Sequence, residues 1–157
     1  GTPTEVFEMP KNLFVAEFIG APKMNVMDAE LTKTAAGYAV KAFGVTLPVD
    51  GDKGKALAEK YAKTGKVLLG VRPEHVTLAK TGENAIPCVL EVNEMMGSEL
   101  HLHVYTEDGT RLIVRVPTVN LEAAEREALV QGKKLYLTFA GKVMHFFDPE
   151  TEENLLN

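Results

Sequence analysis

Three groups of residues in this 157-residue chain have types and spacings that could support chemistry. The first is Arg72-Pro73-Glu74-His75, a cation, an anion and an imidazole within four residues. Pro73 has no amide hydrogen and fixes its own φ, so a strand that enters it must stop. Arg72, as the residue before proline, is held extended. The pattern predicts that the chain leaves a strand along Arg72 and turns at Pro73, with both charges and His75 emerging in a solvated turn. Such a turn suits reciprocal ion pairing better than catalysis, because no nucleophile, base and orienting group are spaced to act together. The second group is His101 and His103. Two residues apart on a strand they share a face, but a metal needs a third and fourth ligand nearby. Cys88 and His145 are remote in sequence, so a polar outer face or an interface is expected and no metal site. The third group is four glycine–lysine pairs, Gly54-Lys55, Gly65-Lys66, Gly132-Lys133 and Gly141-Lys142. A phosphate cradle requires G-x-x-x-x-G-K-[ST] between a strand and a helix, and none of the four pairs is followed by Ser or Thr. Glu91, Glu94, Glu152 and Glu153 read as solvated charges.

Composition narrows the field further. Apolar residues make up 45% and charged residues 25%, the balance of an ordinary globular domain, and the length suits one core, or one core plus a short appendage. The net charge of −5 argues against a broad phosphate-binding surface. Single-stranded nucleic acid needs stacking aromatics in a basic groove, and the chain has no tryptophan, so no nucleic-acid partner is expected. The single cysteine cannot form an internal disulfide, and between Pro87 and Val89 it reads as a buried free thiol suited to a reducing compartment. No apolar run approaches the ~20 residues of a membrane span, and no basic-then-apolar signal pattern is visible. Association with a membrane is therefore expected through partners.

The elements that must position these residues follow from periodicity. Thr2-Pro3-Thr4-Glu5 has the cap, first-turn proline and capping-box glutamate of a helix start, and Pro10 stops that helix. A second short helix carries Phe14/Phe18 and Val15/Ile19 on one stripe and ends at Gly20. From Met24 the period changes to two. Met27, Ala29 and Leu31 alternate with polar residues; Tyr38–Phe43, Val45–Val49 and Val67–Val71 follow as strands, with one helix at Gly54–Lys63 closed by Gly65. Asn84–Asn93 predicts a strand with Ile86, Cys88, Leu90 and Val92 on one face. For the strands around Glu107-Asp108-Gly109, a two-residue turn would mix faces. A three-residue loop instead pairs Val104 with Leu112, Leu102 with Val114 and Leu100 with Val116, so the hydrophobic pattern selects it and places Gly109 in the left-handed region. Pro117–Val130 is a polar connector with helical content, and Lys133–Phe139 and Val143–Phe147 close the series. Seven or eight short, mostly antiparallel strands with one internal helix predict a small closed or partly closed barrel.

Several of these blocks, in this order, resemble one family. Gly1-Thr2-Pro3, Pro10, Asn12–Ala16 and Phe18-Ile19-Gly20 are similar to the end of the nucleotide-binding domain in importer ATPases of the maltose and sn-glycerol-3-phosphate type. Met24-Asn25 resembles the entry into their regulatory domain, Gly70–His75 its central motif, and Gly97-Ser98-Glu99 and His145–Asp148 its later strands. The resemblance implies a mainly β fold, an oligonucleotide/oligosaccharide-binding (OB) type barrel called the transport-associated domain, at residues 23–157. Residues 1–22 would be the helical tail of a missing nucleotide-binding domain, contacted through Phe14 and Phe18. It implies a regulatory and dimerisation role, with Arg72, Pro73, Glu74, His75, Gly97, Ser98 and Glu99 at the regulatory or dimer contact. The partners implied are a second copy, the importer's membrane subunits and a regulatory protein, at the cytoplasmic face of the membrane. ATP and Mg²⁺ would belong to the parent subunit, because the phosphate loop and the Leu-Ser-Gly-Gly-Gln signature are absent from this sequence. The chain would then be a C-terminal fragment that is not itself an enzyme. A free-standing oxyanion-binding barrel of the molybdate type is the alternative, for which the Gly1–Gly20 helices would have no purpose.

Overall fold

A computed structural model describes residues 23–156; the two short helices expected in the first 22 residues, with Phe14 and Phe18, lie outside them. The described chain is mainly β, and its ten strands form two five-stranded antiparallel sheets. The count exceeds the seven or eight strands expected; one of the additional strands, Thr77–Ala79, is too short for alternation to register. Two compact units result, one comprising the chain through Arg72 together with Phe139 onward, the other Pro73–Thr138. Each unit contains one of the sheets.

In the first unit the sheet order is β10 (His145–Phe147), β4 (Gly65–Val71), β1 (Asn25–Thr34), β2 (Gly37–Ala42) and β3 (Val45–Pro48). The alternation read from sequence sets the register. Leu31 faces Val40, which faces Leu47; Met27 faces Leu69, which faces Phe146. These two cross-strand rows are buried and build the core, because opposite residues in a ladder share a face. On the opposite face Met24 and Phe147 form a smaller buried cluster with Val26 and Leu68. Gly70 makes that cluster fit, since a Cβ there would stand 2.5 Å from the Met24 sulfur. Phe43 proves to be a turn residue, not a strand residue: Ala42 pairs with Val45, and Phe43 and Gly44 both take left-handed φ in the two-residue turn between them.

The internal helix differs at both ends from the expectation. Helix α1 begins at Gly51 and runs to Ala56, then widens into a π-type turn over Leu57–Tyr61. Ala62, at φ +56, ends it; Gly65 instead opens β4. Leu57 is fully buried and anchors the helix. The tail after β10 folds back, with Phe147 bridged to Asn154 and Leu156 buried.

In the second unit the sheet order is β5 (Thr77–Ala79), β9 (Lys134–Thr138), β6 (Ile86–Met96), β7 (Glu99–Thr106) and β8 (Arg111–Pro117). The three-residue loop is as the pattern requires: Val104 pairs with Leu112, Leu102 with Val114 and Leu100 with Val116. Gly109 has φ +87. Asp108 accepts hydrogen bonds from the Thr106 hydroxyl and from Thr110. Those bonds hold its carboxyl below the usual carboxylate range. Ile86, Cys88 and Leu90 are buried as expected, and burial pushes the Cys88 thiol up to about 12. Val92 is a correction. A β-bulge between Leu90 and Val92 inserts Glu91 as an extra residue, so Val92 moves to the outer face, where it is 48% exposed. Between β8 and β9, a Glu122–Glu125 capping box starts the short helix α2 (Ala123–Glu127).

Candidate interaction site around Arg115

The β7–β8 register places His101 directly opposite Arg115. From β8 the Arg115 guanidinium reaches Glu99 at the start of β7 with a forked set of bonds. Its Nε and Nη2 donate to Glu99 Oε1 at 3.1 and 2.9 Å, and Nη2 also donates to Oε2 at 3.1 Å. His101 Nε2 lies 3.0 Å from Glu99 Oε1, and because a carboxylate only accepts, the ring nitrogen is the donor. The His101 bond first, then the Arg115 bonds, hold the Glu99 carboxyl below its ordinary range.

Glu74 arrives at the same guanidinium from the Arg-Pro-Glu-His turn. Pro73–His75 forms a single 3₁₀ turn that packs against β8, and Glu74 Oε1 stands 3.9 Å from Arg115 Nη1. The turn departs from the expected solvated geometry at its first two residues. Arg72 is only 2% exposed and Pro73 is buried, while Glu74 and His75 face outward. Arg72 is thus a core residue of this chain, not a charge on its surface.

Gly97-Ser98-Glu99 converges on the same end of β8 by a different route. Met96 pairs with Glu99, so Gly97-Ser98 is a two-residue turn, with Gly97 at φ +67. The Ser98 carbonyl accepts both the Thr118 amide and the Thr118 hydroxyl, each at 2.9 Å. Two blocks more than twenty residues apart in sequence, Glu74 and Glu99, are therefore joined through Arg115, which was not among the predicted site residues. Its signal was present: the selected hairpin register puts Arg115 opposite His101, on the face of Arg111 and His103. Beside Arg115 lies a groove of 270 Å³ lined by Glu74, Val76, Pro117, Asn120 and Glu125 among others. Two carboxylates, one guanidinium and one imidazole can pair with charges and orient a partner; no nucleophile stands among them.

The remaining predicted charges lie at the surface as expected, and two of them are also paired. Glu91 accepts from Arg111, and Glu94 lies 3.3 Å from His103. Glu152 and Glu153 are exposed. Among the described residues no group of three or more His, Cys, Asp or Glu is placed to hold a metal ion. Among them, too, no helix is long and apolar enough to cross a membrane.

Comparison with known proteins gives this arrangement its relatives. The TOBE domain profile matches residues 69–147, which contain the whole Arg115 cluster, and the MalK OB fold domain profile matches residues 20–76. The sn-glycerol-3-phosphate import ATP-binding protein UgpC of Escherichia coli (strain K12) is 33% identical over 99% of this chain and 39% of its own length. An uncharacterized ABC transporter ATP-binding protein, y4oS of Sinorhizobium fredii, is 38% identical over 96% of this chain and 36% of its own length. This chain thus spans well under half the length of those relatives. Among solved structures, the cytoplasmic molybdate-binding protein ModG, with molybdate bound, superposes with a TM-score of 0.57 at 14% identity, covering 80% of this chain and 96% of that one. That likeness is one of fold. With a profile match over half its length and a mainly β, OB-type architecture, the chain belongs to the TOBE-domain family.

Proposed function

We infer that this chain is the regulatory and dimerisation module of an ATP-binding subunit in an importer for carbohydrate or sn-glycerol 3-phosphate. The observation that carries this reading is the end-to-end match, 33% identity across 99% of the chain, to subunits of that kind. ATP and Mg²⁺ belong in this reading to the rest of the parent subunit, since no phosphate-loop motif occurs in this sequence. Phe14 and Phe18 meet the nucleotide-binding domain. The module sits at the cytoplasmic face of the membrane through the importer's membrane subunits, where a regulatory protein reads its surface. In the proposed two-fold contact Glu74 and His75 face the second copy, steadied by Arg115 and Glu99, with Gly97 and Ser98 at the turn beside them. A molybdate-type oxyanion barrel has less support, because the likeness to ModG is confined to fold.

The test uses the purified chain. It should neither bind nor hydrolyse ATP at millimolar nucleotide. Light scattering across concentration and salt should find a weak, salt-sensitive dimer, because exposed ion pairs contribute only on the order of 0–1 kcal/mol each. Glu74→Arg should weaken it further. ATP turnover by the chain would overturn the reading. A tight dimer indifferent to salt and to Glu74→Arg would remove this turn from the contact.

A further inference from the structure

A second concavity in the Pro73–Thr138 unit shares no residue with the Arg115 groove and has no part in the reading above. Its volume is 540 Å³, and it is lined by Glu91, Tyr105, Arg111 and Gln131 and by the backbone at Gly109 and Gly132. The volume lies within the ~300–1,000 Å³ typical of small-molecule sites.

Each wall has a structural cause. Glu91 is the extra residue of the β6 bulge, and bulges commonly redirect a side chain. Its carboxylate crosses β7 to accept from Arg111 Nη1 on β8 at 2.5 Å. Tyr105, on the intervening strand, faces Val89 on one side and Arg111 on the other, and is 37% exposed. Gly109 and Gly132 take φ +87 and +91, and a Cβ at either position would meet open space. The backbone of two loops is therefore bare where it borders the concavity.

The result is a half-open aromatic side chain beside a carboxylate, a guanidinium and a primary amide. A tyrosine ring offers an apolar face to C–H groups. A carboxylate accepts hydrogen bonds, a guanidinium donates them and an amide does both. That set is complementary to a ligand with one apolar face and several hydroxyls. Charge decides against an anion. Glu91 and Arg111 neutralise each other, so the concavity has no net charge to attract an oxyanion, and one held by the open Arg111 guanidinium would also face the half-buried Glu91 carboxylate. A neutral hydroxyl-rich ligand bonds to the free lone pairs and N–H groups of the pair without parting it. The geometry points to a binding site for a neutral polyol of monosaccharide size, an effector site in this unit that is independent of the dimer contact.

The experiment is an amide NMR titration of the full chain with glucose and with galactose, using inorganic phosphate as the anion control. Saturable shifts are expected at the Gly109 and Gly132 amides and at the Gln131 side-chain amide. Tyr105→Ala and Gln131→Ala should each weaken sugar binding by about tenfold or more, whereas Tyr105→Phe, which keeps the ring, should stay within about threefold. The unaffected cross-peaks report whether each variant is folded; if Tyr105→Ala is not, Gln131→Ala on its exposed loop carries the test. Absence of any saturable shift with either sugar overturns the assignment. So do sugar shifts indifferent to Tyr105→Ala and Gln131→Ala, and saturation by phosphate alone.

Discussion

In the sheet β10-β4-β1-β2-β3, large apolar side chains are buried on both faces. Met27, Leu31, Leu47, Leu69, Phe146 and Phe147 are almost wholly buried. Gly70 there permits close approach, since a Cβ on it would strike Met24. In the sheet β5-β9-β6-β7-β8, Ile86, Leu90, Leu102, Val114 and Leu137 are buried as deeply, but the other face is open. It carries the ion pairs Glu91–Arg111 and Glu99–Arg115 and the Glu94–His103 hydrogen bond, interleaved with the exposed apolar residues Val92, Met96 and Tyr105. The bulge at Glu91 marks the change of use, since past it Val92, Glu94 and Met96 share the face of His103, His101 and Glu99. An open face that mixes paired charges with apolar side chains has the composition of an interface rim, whereas the first sheet has that of a scaffold. Both sheets bury a core face, but the mixed, open face falls on the second.

The largest effect that could break this comparison comes from truncating one large apolar side chain in each sheet. Phe146→Ala should cost about 3–5 kcal/mol, because Phe146 is fully buried in the row with Leu69 and Met27. Met96→Ala, on the open face at 47% exposure, should change stability by no more than ~0.5 kcal/mol. Urea unfolding measures both. Similar costs at the two positions would mean that the outer face of the second sheet is packed after all.

The next effect isolates backbone geometry. Gly109 has nothing within 4 Å of where a Cβ would stand, so any penalty there comes from its left-handed φ of +87. Gly109→Val should cost roughly 1–2 kcal/mol, the price of a β-branched residue in that region. Gly109→Asn should cost less, because asparagine visits the left-handed region more readily. Equal urea midpoints for the two variants would refute a torsional origin.

Gly109 also shows what the sequence makes legible. Alternation of Leu100, Leu102 and Val104 against Leu112, Val114 and Val116 allows one register that keeps faces matched, so the loop length and its glycine follow. Periodicity likewise finds the Leu31–Val40–Leu47 row. It fails where a local event changes the phase. The Glu91 bulge is invisible to an alternation count, which carries Ile86, Cys88 and Leu90 on to Val92 one residue too far. Arg72 fails for another reason. Proline correctly ends the strand, but burial of a guanidinium depends on tertiary surroundings that four residues cannot encode. The same holds for Arg115. Its face was readable, but its role as the link between Glu74 and Glu99 depends on how the Pro73–His75 turn packs on β8.

The smallest effect concerns the electrostatics of that link. His101 and Arg115 hold the Glu99 carboxyl below its ordinary range, so the folded state binds this proton less readily than the unfolded chain. A depressed carboxyl stabilises the fold at pH above its unfolded value of about 4.3, and that contribution fades as pH falls through the lower folded value. Glu99→Gln removes the charge but keeps the shape. The variant's urea midpoint should therefore lie slightly below that of the parent at pH 7, and the gap should narrow steadily as pH falls below ~4.3. Because the carboxylate is partly open to water, added salt at pH 7 should shrink the gap as well. A gap that stays constant from neutral to acid pH would mean that Glu99 acts through packing alone, and the charged face of the second sheet would then differ from the first in appearance but not in energetics.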